Sequence, residues 1–559
     1  MKAQPTSAPP FSKRRDLSPL TAPTHDLIIV GGGITGATLL WDASLRGLKA
    51  VLLEKNDYAS GTSQATSKLI HGGLRYLKNG EFGLVRESLR ERRLLARMAP
   101  HGVRPVSFLM PIYSGARFGR WLMGLALWIY DLLSFDRNRG LGRDHRLPGA
   151  RYIGAAEALA EEPGLDARGL KGAYIYYDYA NTNPERLCVE YIQGARAHGG
   201  QARNYTKVRG FKKDPSGFYN VNVEDTLSGE RAVLRARTVV NATGPWADGL
   251  EQILTGRIEK HIVRSKGIHL VTRSVTNNRT VVLMRPDHTH LFIIPWRGRS
   301  LIGTTDTAFR NGPDRLHISE DEIEAIIADI NSLFPGAGLQ RSDVYYSYAG
   351  LRPLVGGDAK KSTYDQSRRN EVIEHGQNGF EGFFTVLGGK YTTSRLLAEQ
   401  VLDRVVTRLG KHAHSVTDSN PLPAGGFGSR FELQAQLCAR FPKQDARKIR
   451  ALAQRYGREA ENILRRSQKG SWKLPNGEEF YPEEIDHIVL NEQVEQIGDL
   501  YFRRSGLGTA GPPSETVNRE IVRRVAKLLG WGRSEQKKAL QELYERFATG
   551  GGVPSRTTA

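Results

Sequence analysis

The amino-acid sequence predicts an α/β protein with a doubly wound sheet, a second sheet rich in antiparallel strands, and a C-terminal α-helical domain. Three observations support this prediction. A strand–glycine turn–helix–strand pattern covers Asp26 to Glu54, consecutive short strands cover residues 262–310, and helical segments dominate after residue 430. Strands that alternate with helices indicate a parallel sheet, whereas consecutive short strands indicate an antiparallel one.

The stretch from Asp26 to Glu54 has the layout of a dinucleotide-binding unit. The apolar run Asp26–Val30 is typical of a parallel strand that is covered on both faces. A helix is expected over Thr35–Ser44, and the next strand, Ala50–Leu53, ends at Glu54. A carboxylate in that place, about 20 residues after the glycine turn, can accept hydrogen bonds from ribose hydroxyls.

The turn between this first strand and the helix contains Gly31, Gly33 and Gly36. The first glycine allows a tight turn, the second lets the backbone approach a pyrophosphate, and the third allows close packing of helix and strand. The phosphates would lie at the positive N-terminal end of the helix. A structural turn would explain the glycines alone, but the flanking strands, helix and acid favour a dinucleotide site.

Length and composition predict two or three packed domains. The chain has 559 residues, and 39% of them are hydrophobic, which is enough for packed interiors. The 80 Lys and Arg residues against 59 Asp and Glu residues give a net charge of +21. This positive charge is compatible with binding to nucleic acid, binding to an anionic membrane surface, or attraction of an anionic substrate. A basic surface without a specific partner would also explain it.

Cysteine usage excludes several classes of site. Cys188 and Cys438 lie far apart and in no Cys-x-x-Cys pattern. A disulfide framework and a cysteine-ligated zinc or iron–sulfur site are therefore excluded, and a reducing compartment is indicated. We expect no metal site.

Four segments are expected along the chain. Residues 1–24 carry several prolines and Lys13-Arg14-Arg15 without an apolar run, so we expect a disordered basic tail and not a secretory signal. Residues 25–410 would contain both sheets, interleaved in sequence. Residues 411–430 would be a linker rich in Pro and Gly, and residues 431–559 a helical domain without an evident catalytic cluster.

Further segments carry polar groups suited to binding a ligand. An ordinary turn without a ligand would also explain each of them. Tyr58–Ser67 is a loop of small and hydroxylated residues, and Lys68–Leu77 places His, Arg, Lys and Tyr around a glycine pair. Asn241–Ala247 leads from an apolar strand into a Gly-Pro turn. Gly388–Thr393 joins a strand to a helix, which directs free N–H groups at a ligand.

The segment Trp121–Leu133 is apolar and contains two tryptophans and a tyrosine, with arginines on both sides. It is too short for the ~20 residues that span a bilayer. Two interpretations fit it equally well: a helix lying in a membrane interface, or a buried core helix.

Several of these motifs follow one another in a recognisable order: Gly31–Gly36 with Glu54, Ser67–Leu77 (SKLIHGGLRYL), Asn241–Trp246, Ile302–Asp306, Gly350–Leu354 and Gly388–Thr393. Taken in that order, they resemble the FAD-dependent glycerol-3-phosphate dehydrogenases, the aerobic respiratory enzymes of bacteria. The resemblance covers about residues 25–400, and SKLIHGGLRYL is its most specific part. Asn491–Gln493 and Arg503–Gly508 extend it into the helical domain.

The resemblance implies a Rossmann-like FAD-binding domain with an antiparallel substrate (cap) domain of the D-amino-acid-oxidase-like type, plus the C-terminal α-helical domain. It also implies how FAD is held. The ADP half would contact the glycine turn and Glu54, and the remaining groups would line the diphosphate, the nucleotide and the N1–C2=O edge of the flavin. The implied FAD-binding residues are Gly31, Gly33, Gly36, Glu54, Thr62, Ser63, Thr66, Ser67, Ala242, Thr243, Gly244, Gly389, Lys390, Tyr391 and Thr392.

The substrate implied by the resemblance is glycerol 3-phosphate, a small anionic alcohol. Arg75, Arg352 and Lys390 would supply cations for its phosphate, and Tyr76 a hydroxyl group. His71 would accept the alcohol proton as a hydride leaves for the flavin, or would instead orient the flavin. The implied catalytic residues are His71, Arg352 and Lys390.

The leading expectation is oxidation of glycerol 3-phosphate with electrons passed to membrane quinone, by a cytoplasmic protein attached peripherally to the inner face of the cell membrane. A soluble oxidase that makes hydrogen peroxide, or an amine or amino-acid oxidase on the same scaffold, are alternatives. No nucleic-acid-binding motif is evident, so nucleic acid is not an expected partner. The sequence leaves a homodimer open.

Overall fold

The computed structural model describes residues 15–116, 118–257, 260–356 and 370–548. Its strands are β1 (His25–Val30), β2 (Ala50–Leu53), β3 (Leu69–Ile70), β4 (Val103–Tyr113), β5 (Arg151–Gly154), β6 (Leu170–Asn181), β7 (Gln201–Arg203), β8 (Thr206–Lys213), β9 (Tyr219–Asp225), β10 (Arg231–Asn241), β11 (Ile262–Thr272), β12 (Thr280–Met284), β13 (His290–Trp296), β14 (Arg299–Gly303), β15 (Thr307–Phe309), β16 (Val344–Val355), β17 (Asn370–Glu374), β18 (Phe383–Gly388), β19 (Trp472–Lys473) and β20 (Glu479–Phe480).

The helices are α1 (Ser18–Thr21), α2 (Ile34–Leu45), α3 (Phe82–Met98), α4 (Arg120–Leu133), α5 (Ala155–Glu161), α6 (Pro184–Ala197), α7 (Ala247–Thr255), α8 (Glu320–Leu333), α9 (Ser394–Arg408), α10 (Arg430–Arg440), α11 (Ala446–Tyr456), α12 (Ala460–Leu464), α13 (Pro482–Asn491), α14 (Ile497–Asp499), α15 (Glu515–Leu529) and α16 (Arg533–Ala548). A π-helical turn, Leu500–Arg504, continues α14.

The first sheet is built around β1, which is parallel to β10 on one side and to β2 on the other. β18 extends the sheet beyond β10, and β7 extends it beyond β2, again in parallel. Leu27, Ile28 and Ile29 of β1 are completely buried because α2, α6 and α9 cover one face of the sheet, while α7 and the β8–β9 pair cover the other. The carboxyl ends of β1, β2, β10 and β18 therefore meet at one edge, where open α/β sheets bind ligands.

The second sheet is mainly antiparallel and has the strand order β15-β11-β14-β13-β12-β4-β6-β3, with β16 paired to β11 and β5 to β6. The long β11–β16 pair places Arg352 directly opposite Ser265. α8 packs against one face of this sheet, and the C-terminal helices pack against the other. The predicted fold class, with its doubly wound sheet, antiparallel sheet and helical domain, is confirmed.

The C-terminal helices share a hydrophobic core with the second sheet and do not form an isolated unit. One continuous cluster joins Phe108, Val271 and Tyr346 of the sheet to side chains of α11, α13 and α15. Tyr346 stacks on Phe502 with ring centres 5.8 Å apart. Residues 411–429 of the predicted linker 411–430 contain neither helix nor strand, yet Leu422 is buried against the first sheet's helices.

The described part of the N-terminal tail is ordered, in contrast to the disorder predicted through residue 24. Arg15 forms ion pairs with Asp225 at 2.6 Å and Glu495 at 2.8 Å, and Leu17 and Leu20 are buried beside α1. Two buried leucines and a paired arginine compensate for the loss of chain entropy on ordering, which the proline-rich composition alone does not reveal. The rest of the predicted tail, residues 1–14, lies outside the described residues, as do residues 549–559.

The apolar segment Trp121–Leu133 forms α4, and its apolar face is exposed. Trp121 is 82% exposed and Trp128 63%, whereas Leu127 and Tyr130 are the fully buried residues of this helix. The interpretation of a buried core helix is therefore wrong. Among the described residues, no helix is both long enough and apolar enough to cross a membrane.

Candidate functional site

The glycine turn lies at the carboxyl end of β1, where it packs too closely for side chains. A Cβ atom on Gly36 would lie 1.8 Å from the carbonyl oxygen of Gly31, and one on Gly31 would lie 2.6 Å from that of Ala242. Gly31 also has a φ of +113°, a conformation that disfavours other residues. The cradle that these glycines leave at the start of α2 fits the pyrophosphate of a dinucleotide.

Glu54 directly follows β2, beside this turn. One of its carboxylate oxygens accepts a hydrogen bond from the backbone N–H of Gly32 at 2.6 Å, and the other from that of Asn56 at 2.8 Å. Burial raises the pKa of the Glu54 carboxyl, while the two N–H donors oppose that shift. The structure thus brings the predicted acid to the edge where a ribose would lie.

The hydroxylated loop, Tyr58–Ser67, lies between the N-terminus of α2 and the second sheet. The Ser63 hydroxyl oxygen accepts a hydrogen bond from the Ile34 N–H at the N-terminus of α2 (2.9 Å). Further along, the Thr62 hydroxyl donates to the Leu351 carbonyl at 2.6 Å, and the Tyr348 hydroxyl donates to the Thr66 carbonyl at 2.7 Å. These bonds hold the loop along β16, immediately before Arg352.

Ser67 ends this loop and contacts a histidine that the sequence analysis did not single out. The hydroxyl of Ser67 lies 2.9 Å from Nε2 of His269, and the imidazole stacks on Tyr348 with ring centres 5.0 Å apart. Burial, together with the positive charges of Arg352 and Lys68, lowers the pKa of His269 well below its ordinary value. His269 is therefore a neutral imidazole beside the predicted substrate cations.

Arg352, on β16, is fixed by groups from β11 and from the turn after β14. Its guanidinium donates hydrogen bonds to the Thr304 hydroxyl at 2.6 Å, the Thr305 carbonyl at 3.1 Å and the Ser265 hydroxyl at 3.2 Å. A Cβ on Gly267 would lie 2.2 Å from the guanidinium, so a side chain at this position would displace Arg352. The planar donors are thereby held in one orientation.

A second cationic group forms around Tyr76. The Lys390 ammonium lies 4.0 Å from the centre of the Tyr76 ring, and the Arg75 guanidinium lies 5.0 Å from it. Lys390 follows Gly388 and Gly389, whose φ values of +69° and +94° bend the chain sharply at the end of β18. The structure therefore brings together three predicted substrate residues that lie up to 315 positions apart in the sequence.

His71 lies in a turn that buried polar groups hold in place. Its Nδ1 accepts a hydrogen bond from the Gly73 N–H at 3.1 Å. The neighbouring Gly72 N–H donates to the hydroxyl of Tyr130 on α4 at 2.9 Å, and that hydroxyl donates to Asp178 at 2.8 Å. Arg92 pairs with the same carboxylate from α3.

The other predicted cofactor residues line the same edge of the first sheet. Ala242 continues β10 beside β1, Thr243 bonds to Asn241 through both its N–H and its hydroxyl, and Gly244 adopts a φ of +57°. The Tyr391 hydroxyl donates to the Pro184 carbonyl on α6, and Thr392 is buried at the start of α9.

Sequence reasoning missed His269, Tyr130 and Asp178. His269 lies in a strand that was predicted without a role for its histidine, and Tyr130 lies in a helix whose orientation the sequence left open. A polar residue on the buried face of an apolar segment was the available signal for both.

Comparison with known proteins agrees with this geometry. Residues 26–401 match the family described as FAD dependent oxidoreductase, and residues 415–536 match the C-terminal domain of alpha-glycerophosphate oxidase. The fold and the site together define an FAD-dependent oxidoreductase, so the predicted cofactor is confirmed.

The sequence relatives are more specific. Glycerol-3-phosphate dehydrogenase of Synechocystis is 33% identical over 93% of this chain and 96% of its own length. Aerobic glycerol-3-phosphate dehydrogenase of Bacillus subtilis is 32% identical over 89% of both chains. A solved structure of glycerol-3-phosphate dehydrogenase from Bacillus halodurans complexed with FAD aligns with a TM-score of 0.75 and 26% identity, covering 97% of this chain and 98% of that one. The chain belongs to the FAD-dependent glycerol-3-phosphate dehydrogenase family.

Replacing Gly36 by alanine is expected to yield protein that purifies without FAD, because the added Cβ would overlap the Gly31 carbonyl and displace the turn or α2. The measurement is the ratio of visible flavin absorbance to protein absorbance after desalting. Gly249→Ala in α7 is the matched control, since a Cβ there meets no atom within 4 Å. Full FAD content in Gly36→Ala would contradict the assignment of this turn.

Proposed function

We propose that this protein oxidises sn-glycerol 3-phosphate to dihydroxyacetone phosphate and passes the electrons to a membrane quinone. The observation that carries the proposal is the placement of Arg75 and Lys390 around Tyr76, with Arg352 presented by the second sheet. A phosphate dianion needs several cationic donors, and a planar guanidinium binds it through two hydrogen bonds. The relatives named as glycerol-3-phosphate dehydrogenases support the same substrate.

In the proposed reaction, the C2–H bond of the alcohol breaks as a hydride leaves, and the hydroxyl proton passes to a base on the protein. FAD supplies the hydride acceptor when bound. Thr62, Ser63, Thr66 and Ser67 would orient the cofactor, and Arg75, Tyr76, Arg352 and Lys390 would bind and orient the substrate. The positive end of α9, just after Gly389–Thr392, would stabilise negative charge that develops nearby.

Two histidines are candidates for the base. His71 is the predicted one, but with Nδ1 accepting from Gly73 the neutral ring carries its proton on Nε2, so proton uptake requires that bond to be released. His269 is the second candidate, because its buried Nδ1 makes no hydrogen bond with the described residues, although its lowered pKa makes it a weaker proton acceptor than an ordinary histidine. An unprotonated ring nitrogen near the substrate is what proton acceptance requires.

Anaerobic titration of the purified protein with sn-glycerol 3-phosphate tests the proposed reaction. Stoichiometric substrate is expected to bleach the visible absorbance of the bound flavin. The Arg352→Ala variant should need much higher substrate concentrations to bleach its flavin, because it lacks the guanidinium group that is proposed to bind the phosphate. A flavin that stays oxidised would refute the substrate and direct the search to amines.

Stopped-flow reoxidation of the reduced protein distinguishes the acceptors in the same preparation. A soluble ubiquinone analogue is expected to reoxidise the flavin faster than air-saturated buffer does. Faster reoxidation by oxygen, with stoichiometric hydrogen peroxide, would contradict the quinone assignment.

The base is identified by the pH dependence of kcat in two matched variants. If His71 accepts the proton, His71→Ala lowers kcat by about 100-fold or more and abolishes the fall in activity at low pH. In that case His269→Ala affects kcat less and retains the low-pH fall. The reverse pattern would make His269 the base. Because the pKa of His269 is lowered, activity that depended on it would also persist to a lower pH than an ordinary histidine allows.

We also propose that α4 docks on an anionic membrane surface. Its outward face presents Trp121, Leu125 and Trp128, and Arg120 lies at its N-terminal end. Tryptophans beside basic residues are typical of helices that lie in the membrane interface. The net charge of +21 adds long-range attraction to anionic lipids. Such docking would bring the protein close to membrane quinone.

The double variant Trp121→Ser/Trp128→Ser is expected to bind vesicles at least about tenfold more weakly, because burial of each large apolar side chain stabilises binding by about 1.5–3 kcal/mol. Cosedimentation with vesicles of phosphatidylglycerol and phosphatidylcholine measures this binding. Phe431→Ser on α10 is the control, since Phe431 is 70% exposed but lies outside α4. Equal loss in both variants, or none in the double variant, would refute docking through α4.

A further inference from the structure

We propose that the C-terminal helical domain acts as a positioning element of the FAD site, with Arg503 and Arg504 holding Asp57 and, through it, the segment Glu54–Ala59 against the glycine turn. This inference rests on the proposed contacts of the ADP half of FAD with that turn and with Glu54. It assigns a role to two motifs, Asn491–Gln493 and Arg503–Gly508, that the proposed reaction does not use.

The link between the domains is a buried ion-pair cluster. Arg504 donates two hydrogen bonds to the Asp57 carboxylate at 2.7 and 2.8 Å, and Arg503 donates a third at 2.5 Å. The Arg503 guanidinium also donates a hydrogen bond to the Asp499 carboxylate at 2.6 Å. Burial raises the pKa of Asp57, but the two guanidinium groups outweigh it and lower that pKa to about 2. Asp57 is therefore a fixed anion.

Gln493 makes a second contact with the same segment. Its side-chain oxygen accepts a hydrogen bond from the Tyr58 hydroxyl at 2.6 Å, and its backbone carbonyl accepts one from the Asn204 amide at 3.1 Å. That amide also donates to Asp57 at 2.9 Å. Gln493 adopts a φ of +52°, which is uncommon for a residue with a side chain. Asp57 and Tyr58 are thus both held from the C-terminal domain.

The held segment surrounds Gly32, in the middle of the glycine turn. The Gly32 N–H donates to Glu54, and the Gly32 carbonyl accepts from the Ala59 N–H at 2.9 Å. A Cβ on Gly32 would lie 2.8 Å from Cβ of Glu54 and 2.9 Å from the Tyr58 ring. A displacement of Asp57 or Tyr58 would consequently move both Glu54 and the backbone that approaches the pyrophosphate.

A matched control lies within the C-terminal domain. Arg455 on α11 donates two hydrogen bonds to Glu484 on α13, at 2.7 and 2.8 Å, and the Glu484 carboxylate is fully buried as that of Asp57 is. This pair does not involve Glu54–Ala59 or the glycine turn. Loss of Arg455 should therefore destabilise the fold as loss of Arg504 does, because each removes two guanidinium hydrogen bonds from a buried carboxylate. The affinity for FAD should fall when Arg504 is replaced and stay nearly unchanged when Arg455 is replaced.

The experiment measures the Kd of FAD, by quenching of flavin fluorescence, and the apparent melting temperature of full-length protein stripped of FAD. Arg504→Gln is expected to raise the Kd by at least about tenfold. Arg455→Gln should lower the melting temperature similarly while its Kd stays within about twofold of the original. The milder variant Tyr58→Phe, which removes one hydrogen bond, should raise the Kd by an intermediate factor.

If Arg504→Gln fails to fold, the Kd of FAD and the melting temperature are measured for Tyr58→Phe and Arg503→Lys instead. An unchanged Kd in the variants that fold, at whatever melting temperature, would overturn the positioning role and leave the proposed function standing. Equal increases in Kd for Arg504→Gln and Arg455→Gln would also overturn it, since the effect would then follow general stability. A parent chain that binds no FAD would instead overturn the proposed function.

Discussion

The parallel registration of β1 with its two neighbours is the constraint on which the site depends. β1 pairs with β2 up to Val30–Leu53 and with β10 up to Val30–Asn241, so the three strands end level with one another. Gly31, Glu54 and Ala242 consequently leave the sheet at the same edge, beside the N-terminus of α2. A slip of one residue in either pairing would turn the terminal side chain to the opposite face of the sheet.

The second sheet depends on this edge in turn. The hydroxylated loop follows β2, contacts the N-terminus of α2 through Ser63, and is bonded to β16 by Thr62 and Thr66, which aligns the strand that carries Arg352. β18 delivers Lys390 from the first sheet to Tyr76. The residues proposed for the cofactor and those proposed for the substrate are therefore positioned by shared segments of chain and not by two independently folded units.

The dinucleotide unit could be predicted because its signals are local: the strand, glycines, helix and acid lie within 30 consecutive residues. The contacts that organise the rest of the site are not local. Arg352 meets Ser265 across 87 positions, and Arg504 meets Asp57 across 447. Nothing in the spacing of such residues indicates pairing, and the resemblance to a known family pointed to individual motifs without showing which of them touch. The order of residues 15–24 escaped prediction, and the choice between an exposed and a buried α4 stayed open, for a related reason: burial depends on neighbours that composition does not specify.

The bond between Gly72 and Tyr130 has a consequence for α4 that concerns its length. The outward residues of this helix share only apolar character, so one can replace another without a change in shape. The Tyr130 hydroxyl, by contrast, must reach one N–H group and one carboxylate. Inserting or deleting a single residue in α4 before Tyr130 would rotate the tyrosine by about 100° relative to the preceding residues, so that the outward face and this inward bond could not both keep their positions. The exposed face of α4 therefore tolerates changes of residue type, whereas the number of residues before Tyr130 is fixed.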